Sequence, residues 1–206
     1  MPDITKCLNV NCVMKDKCYR YVCIPDKISQ SYSFFLPISN KIESFKFEFL
    51  LSKFDNEIFT PEQVAYMLAT VKHETAHTFQ PIQERGGYNY FKYLIGKLGI
   101  RNLIEANKFK GRGYIMITGR TNFEKFSLIM GIDFITNPEL VREPENAYKI
   151  MIYGFVNGTF TGKKITDYID GDKLDYYNAR RIINGTDKAS LIQGYAEKIF
   201  EGLKYE

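Results

Sequence analysis

Histidine, glutamate and a glycine-flanked arginine crowd one part of the chain. His73-Glu74-Thr75-Ala76-His77 is followed by Glu84, and then by Gly111-Arg112-Gly113-Tyr114-Ile115-Met116-Ile117-Thr118. Two chemistries compete for these residues. Read as H-E-x-x-H on a helix, His73 and His77 would stand one turn apart on the same face and bind zinc, with Glu74 the general base of a metalloprotease. Read as a carboxylate pair, Glu74 would protonate a leaving oxygen while Glu84 activates a water on the opposite side, the carboxyls standing roughly 6.5–9.5 Å apart. His73 and His77 are the only histidines, so a third zinc ligand would have to be a carboxylate such as Glu84. The zinc reading also leaves the glycine-arginine segment without a purpose. The carboxylate pair is therefore preferred, with no catalytic metal.

A helix must position the first carboxylate. Thr60 precedes Pro61 and Gln63 lies three positions on, a capping-box spacing with proline in the first helical position. Val64, Met67, Leu68 and Val71 then recur at helical spacing and predict one apolar stripe toward the core. At roughly 100° per residue, Glu74 falls about 60° from the centre of that stripe and His73 points almost directly away. Glu74 is expected half-buried, where the ionised form is disfavoured and a proton is held more readily, and His73 exposed. Glu84 lies beyond Pro81, which ends the helix, so it is expected on a loop returning toward Glu74. Gly111 and Gly113 permit tight backbone geometry, and Tyr114 to Thr118 alternates like a short extended segment. Thr118 offers a hydroxyl to orient water.

Taken in order, H-E-T, the following Glu, G-R-G-x-I-x-x-T, Asn137-Pro138-Glu139-Leu140-Val141 and Ile182-Ile183-Asn184-Gly185 resemble glycoside hydrolase family 19, the group of chitinases and related phage endolysins. The resemblance runs from about Pro61 to Gly185. It implies a mainly α, lysozyme-like two-lobed helical domain, with Glu74 as general acid, Glu84 as general base and Thr118 as the residue holding the nucleophilic water. It further implies sugar contacts from Asn122 and Asn184, with Tyr114 and Arg181 lining the groove. Met116 stands where the family commonly carries Gln, which bears on sugar preference rather than on reaction type. The implied reaction is inverting hydrolysis of β-1,4 links between amino sugars, with peptidoglycan the preferred substrate and chitin the runner-up. A zinc metalloprotease and a wall-binding protein with a dead site are the alternatives.

Composition bounds the remainder. A chain of 206 residues, 45% hydrophobic, can bury one sizeable core, so a single catalytic domain over 39–206 is expected behind a short Cys-rich extension over 1–38. Cys7, Cys12, Cys18 and Cys23 all lie in that extension and suit a structural zinc, two disulfides or free thiols. With 16 Phe, 15 Tyr and no Trp, only Tyr and Phe can offer platforms for sugar rings. Tyr88, Tyr90, Phe91 and Tyr93 form either a groove wall or simple packing. The net charge of +4 favours approach to an anionic cell-wall polymer but is too small to imply nucleic-acid binding. Met1 to Asp26 is broken by charges and does not read as a signal peptide, and no stretch reaches membrane-spanning length. The expectation is a monomer made in a host cytoplasm that reaches the cell wall after release.

Further helices are predicted from Ser39 or Asn40 to Lys53, Asn122 to Met130 ahead of Gly131, Pro144 to Val156 ahead of Gly158, Asp175 to Ile183, and Lys188 to Leu203. Asp167, Asp170 and Asp172 around Gly171 lack the closing Glu of a calcium loop and read as an exposed turn.

Overall fold

A computed structural model describes residues 6–7, 32–33, 41–55 and 58–203. Cys12, Cys18 and Cys23 lie outside the described residues, so the alternatives for the cysteine cluster fall there too. Two short strands, β1 (Lys6–Cys7) and β2 (Tyr32–Ser33), pair in parallel ahead of the helical chain. Helix α1 (Lys41–Leu51) leads into α2 (Pro61–Glu74). Strand β3 (Ile82–Gln83), a 3-10 turn (Tyr88–Leu94), α3 (Leu103–Lys108) and β4 (Arg112–Gly113) follow. Beyond them come α4 (Arg120–Met130), a 3-10 turn (Pro138–Arg142), α5 (Pro144–Asn157), the hairpin β5 (Ile169–Asp170) and β6 (Lys173–Leu174), α6 (Tyr176–Ala179) and α7 (Ala189–Leu203). The chain is mainly helical, as the periodicity predicts.

Local rules account for the helix boundaries. The Thr60 side chain accepts from Gln63 N and the Gln63 side chain accepts from Thr60 N, with Pro61 in the first turn, so the capping box forms as predicted. Gly131 and Gly158 adopt the left-handed conformation just past α4 and α5, where an L side chain would be strained. Two predictions fail in instructive ways. The stripe on α2 is in fact a helix buried all round, since every residue from Gln63 to Val71 is buried; neighbours cover it from several sides, and α7 packs most extensively against it. The single helix over 175–183 stops after Ala179 and tightens into a 3-10 turn at Arg180–Ile182.

Aromatic rings bind these helices together. Tyr66 of α2 stacks on Tyr176 of α6 at 5.9 Å and meets Phe155 of α5 edge-on at 6.2 Å. Phe155 touches Phe160 at 6.4 Å, which in turn contacts Phe126 of α4 at 5.9 Å. Phenylalanine and tyrosine thus supply the large core volumes that tryptophan does not. Gly154 lets Phe160 lie on α5, because a Cβ there would meet the ring Cζ at 1.8 Å. Phe126 and Phe155 leave that ring little room to swing away. Gly154→Ala is therefore expected to destabilise the fold by about 1–2 kcal/mol despite the better helix propensity of Ala, lowering Tm by a few degrees in calorimetry.

Candidate active site

Glu74 is the last residue of α2, and the turn after it is held by threonines. Buried Thr75 donates its hydroxyl to Val71 O at 2.7 Å and accepts from Phe79 N at 3.1 Å, while Thr78 donates to Thr75 O at 2.8 Å. Ala76, His77 and Phe79 have φ of 49°, 68° and 50°, left-handed values that side-chain-bearing residues adopt only when their surroundings impose them. The helix is over before His77, so His73 and His77 do not share a helical face. His77 Nε2 instead meets the hydroxyl of Tyr195 on α7 at 3.1 Å. The geometric premise of the zinc-protease alternative is thereby lost. Among the described residues no three His, Cys, Asp or Glu side chains gather into a metal-binding group.

Glu74 is half-buried, as expected, but it has a partner that sequence reasoning missed. Arg180, itself 4% exposed, donates Nη1 to Glu74 Oε1 at 2.7 Å, while its Nε donates to Asp187 O at 3.1 Å. Glu74 Oε2 accepts no hydrogen bond among the described residues. The signal in the sequence is the Arg180-Arg181 pair, of which the resemblance points to the exposed Arg181 for the groove. The break after α6 turns Arg180 inward instead. His73, expected exposed, is half-buried beside the 180–188 segment. Burial, reinforced by Arg180 and opposed by Glu74, holds its pKa below the ordinary value.

Glu84 directly follows β3 rather than riding on a free loop. Its N–H donates to Gly111 O at 2.8 Å, extending the antiparallel pairing in which Ile82 faces Gly113 and Gln83 faces Arg112. Gly111 N donates back to Glu84 Oε2 at 3.1 Å, and Glu84 Oε1 accepts from Tyr93 Oη at 2.8 Å. The glycine sits in a tight place: a Cβ at Gly111 would stand 3.1 Å from Glu84 Oε2 and 3.3 Å from Thr118 Oγ1, so both side chains would have to give way slightly. The structure thus places the second carboxylate and the predicted water-holding hydroxyl on the same side-chain-free flank of Gly111. Thr118 donates its own proton to Met116 O at 3.0 Å, leaving its oxygen lone pairs to accept, and Asn122 Nδ2 secures Thr118 O at 2.7 Å.

Arg112 fixes this corner from below. It is 4% exposed, donates Nη1 to Lys108 O at 2.8 Å and Lys110 O at 3.0 Å, and pairs with Glu139 at 2.9 Å. The segment after it is not the extended run predicted. Gly113 at φ 89° and Met116 at φ 53° fold residues 114–116 into a turn that returns Ile117 to pair with Arg112. Tyr114 consequently leaves the groove: it is 1% exposed, and burial pushes its hydroxyl up to about 12. Met116 is half-buried in the same turn. Asn184 and Arg181 lie exposed beyond Arg180, Asn184 folded onto Gly185 N at 2.9 Å and Arg181 onto Asn178 Oδ1 at 3.2 Å.

Comparison with solved structures places this arrangement in a known fold. The chain superposes on a bacterial family 19 chitinase with a TM-score of 0.52 at 17% identity, over 77% of this chain and 85% of that one. Chitinase C from Streptomyces griseus gives a TM-score of 0.47 at 17% identity, over 78% and 68% of the two chains. No family model matches the sequence, and no curated protein matches it. At this identity the likeness is one of fold, and the mainly α, lysozyme-like architecture expected from the resemblance is the one found.

Two measurements probe the Glu74 end. Replacing Arg180 by Met leaves the carboxylate without its cation, and is expected to cost about 2–3 kcal/mol, less than for a fully buried pair because Glu74 keeps 17% exposure. Denaturant unfolding of Arg180→Met reads this loss. His73 binds its proton less readily folded than unfolded, so its contribution to stability is complete above the unfolded value of 6.5 and is lost as pH falls below it. His73→Gln should therefore flatten the decline of Tm between pH 7.5 and pH 5.

Proposed function

We propose that the protein hydrolyses β-1,4 links between amino sugars with inversion at the anomeric carbon. The observation that carries this reading is the convergence of Glu84 Oε2 and Thr118 Oγ1 beside Gly111. Because no side chain stands at Gly111, both oxygens stay open to one water, which gives each a proton and keeps a lone pair to attack. Glu84, as general base, receives the proton given up in that attack. Glu74 acts as general acid on the leaving oxygen. Arg180 fixes its Oε1 and leaves Oε2 to carry the proton. The chitinases that share the fold support the same class of substrate.

Peptidoglycan is the preferred polymer and chitin the second. Between Glu84 and Lys110 the chain carries six cations, Arg85, Lys92, Lys97, Arg101, Lys108 and Lys110, against two carboxylates, Glu84 and Glu105. That surplus equals the net +4 of the whole chain and falls in the segment that begins with the proposed base. An anionic glycan with peptide carboxylates gains from such a field, and neutral chitin does not. No described helix is long and apolar enough to cross a membrane, and the proposed place of action is the bacterial wall after release from a host cell.

Glu74→Gln should reduce turnover by at least about 10³-fold while leaving the fold and polymer binding intact, with Tm lowered because the buried Arg180 loses its counter-charge. Proton NMR of fresh wild-type digests should show α-anomeric reducing ends first, and mass analysis should show faster release of fragments from peptidoglycan than from chitin oligomers. Cleavage retained by Glu74→Gln, or β-anomeric first products, would remove this mechanism.

A further inference from the structure

We infer that Tyr93 is a positioning residue for Glu84, holding the carboxylate in the orientation from which Oε2 faces Thr118. The inference rests on the proposed role of Glu84 as base. A glutamate held through one oxygen still turns about its last bond. Glu84 is held through both: Tyr93 Oη binds Oε1 at 2.8 Å, and Gly111 N binds Oε2 at 3.1 Å. The two donors come from different elements, the 3-10 turn over Tyr88–Leu94 and the chain entering β4, so together they fix the plane of the carboxylate.

The tyrosine is itself placed by its surroundings. The residue is 47% exposed, yet its hydroxyl is turned onto Glu84. Tyr90 meets the Tyr93 ring at 5.7 Å and 74°, and Lys97 Nζ lies over it at 5.8 Å from the centroid. Gly86 admits the Tyr90 ring, since a Cβ there would stand 2.5 Å from Tyr90 Cδ1. Asn107 Nδ2 of α3 ties down the start of the turn through Tyr88 O at 3.0 Å. Burial first, and then the hydrogen bond and charge of Glu84, raise the pKa of the Tyr93 hydroxyl, so it remains a donor throughout the working pH range. The tyrosine cluster therefore does more than wall a groove or fill a core: one of its members orients the proposed base.

The charged and titratable groups around Glu84 are Tyr93 and Tyr90 on the 3-10 turn, Lys97 over Tyr93, the adjacent Arg85, and Lys110 and Arg112 on either side of Gly111. Lys110 is engaged over the Phe91 ring at 4.9 Å, and Arg112 is committed to Glu139. Tyr93→Phe alters only the donor to Oε1.

The test compares wild type, Tyr93→Phe and Glu84→Gln by kcat and KM on solubilised peptidoglycan and on the N-acetylglucosamine hexamer, with ¹³C NMR of the glutamate carboxyls alongside and Glu84→Gln assigning the Glu84 signal. In Tyr93→Phe the Glu84 carboxyl resonance should be displaced while the other glutamate signals stay, and kcat should fall about tenfold with KM within about twofold. An unmoved Glu84 resonance overturns the inference whether or not turnover is detected. If Glu84→Gln stays active, the base assignment fails; if it is inactive and Tyr93→Phe keeps the wild-type kcat, only the role of Tyr93 fails.

Discussion

The absence of a side chain at Gly111 is the constraint on which the candidate site depends. Glu84 Oε2 and Thr118 Oγ1 both stand where a Cβ would crowd them. The backbone N–H of the same residue binds the carboxylate, so one glycine supplies both the room and a donor. Arg112 keeps that backbone in place by gathering the carbonyls of Lys108 and Lys110 from a buried position. The G-R-G triplet is thus a working unit: a close approach, an internal clamp, and a positive-φ residue that starts the turn to Thr118.

The two carboxylates are held in contrasting ways. Glu74 ends a helix buried on every side and leans on a fixed cation, with one oxygen occupied and the other open. Glu84 sits at the end of a strand and is held by neutral donors, a peptide N–H and a phenol, on both oxygens. A group that hands a proton to a leaving atom needs one free oxygen near the substrate. One that takes a proton from water needs a fixed lone pair aimed at that water. The open oxygen of Glu74 and the doubly held carboxylate of Glu84 match these two geometric needs.

The fold is shared with a bacterial family 19 chitinase at 17% identity. Here phenylalanines and tyrosines carry the large volumes, joined in a run of ring contacts from α6 through α2 and α5 to α4. Packing of this kind tolerates exchange of one large apolar residue for another provided volume and patterning hold. The helix that presents Glu74 and the helix that follows Thr118 can therefore keep their places while sequence similarity falls away.

Local chemistry was legible without coordinates. The capping box at Thr60, the stops at Gly131 and Gly158, and the helices they bound depend on neighbouring residues and follow from their types. So did the candidates Glu74, Glu84 and Thr118, because the spacing of H-E-T, the following Glu and G-R-G-x-I-x-x-T is itself a pattern. What the sequence could not supply was any relation between segments distant along the chain. All-round burial of α2 needs α7 and α6 to close over it. Arg180 rather than Arg181 turns inward because the helix breaks after Ala179. Tyr114 becomes core because Gly113 and Met116 fold the chain back onto Arg112, and Tyr93 finds Glu84 through a 3-10 turn with no helical or strand period to betray it. Periodicity reports which face of an element is apolar. Only tertiary packing decides which side chains from different elements occupy the same few ångströms.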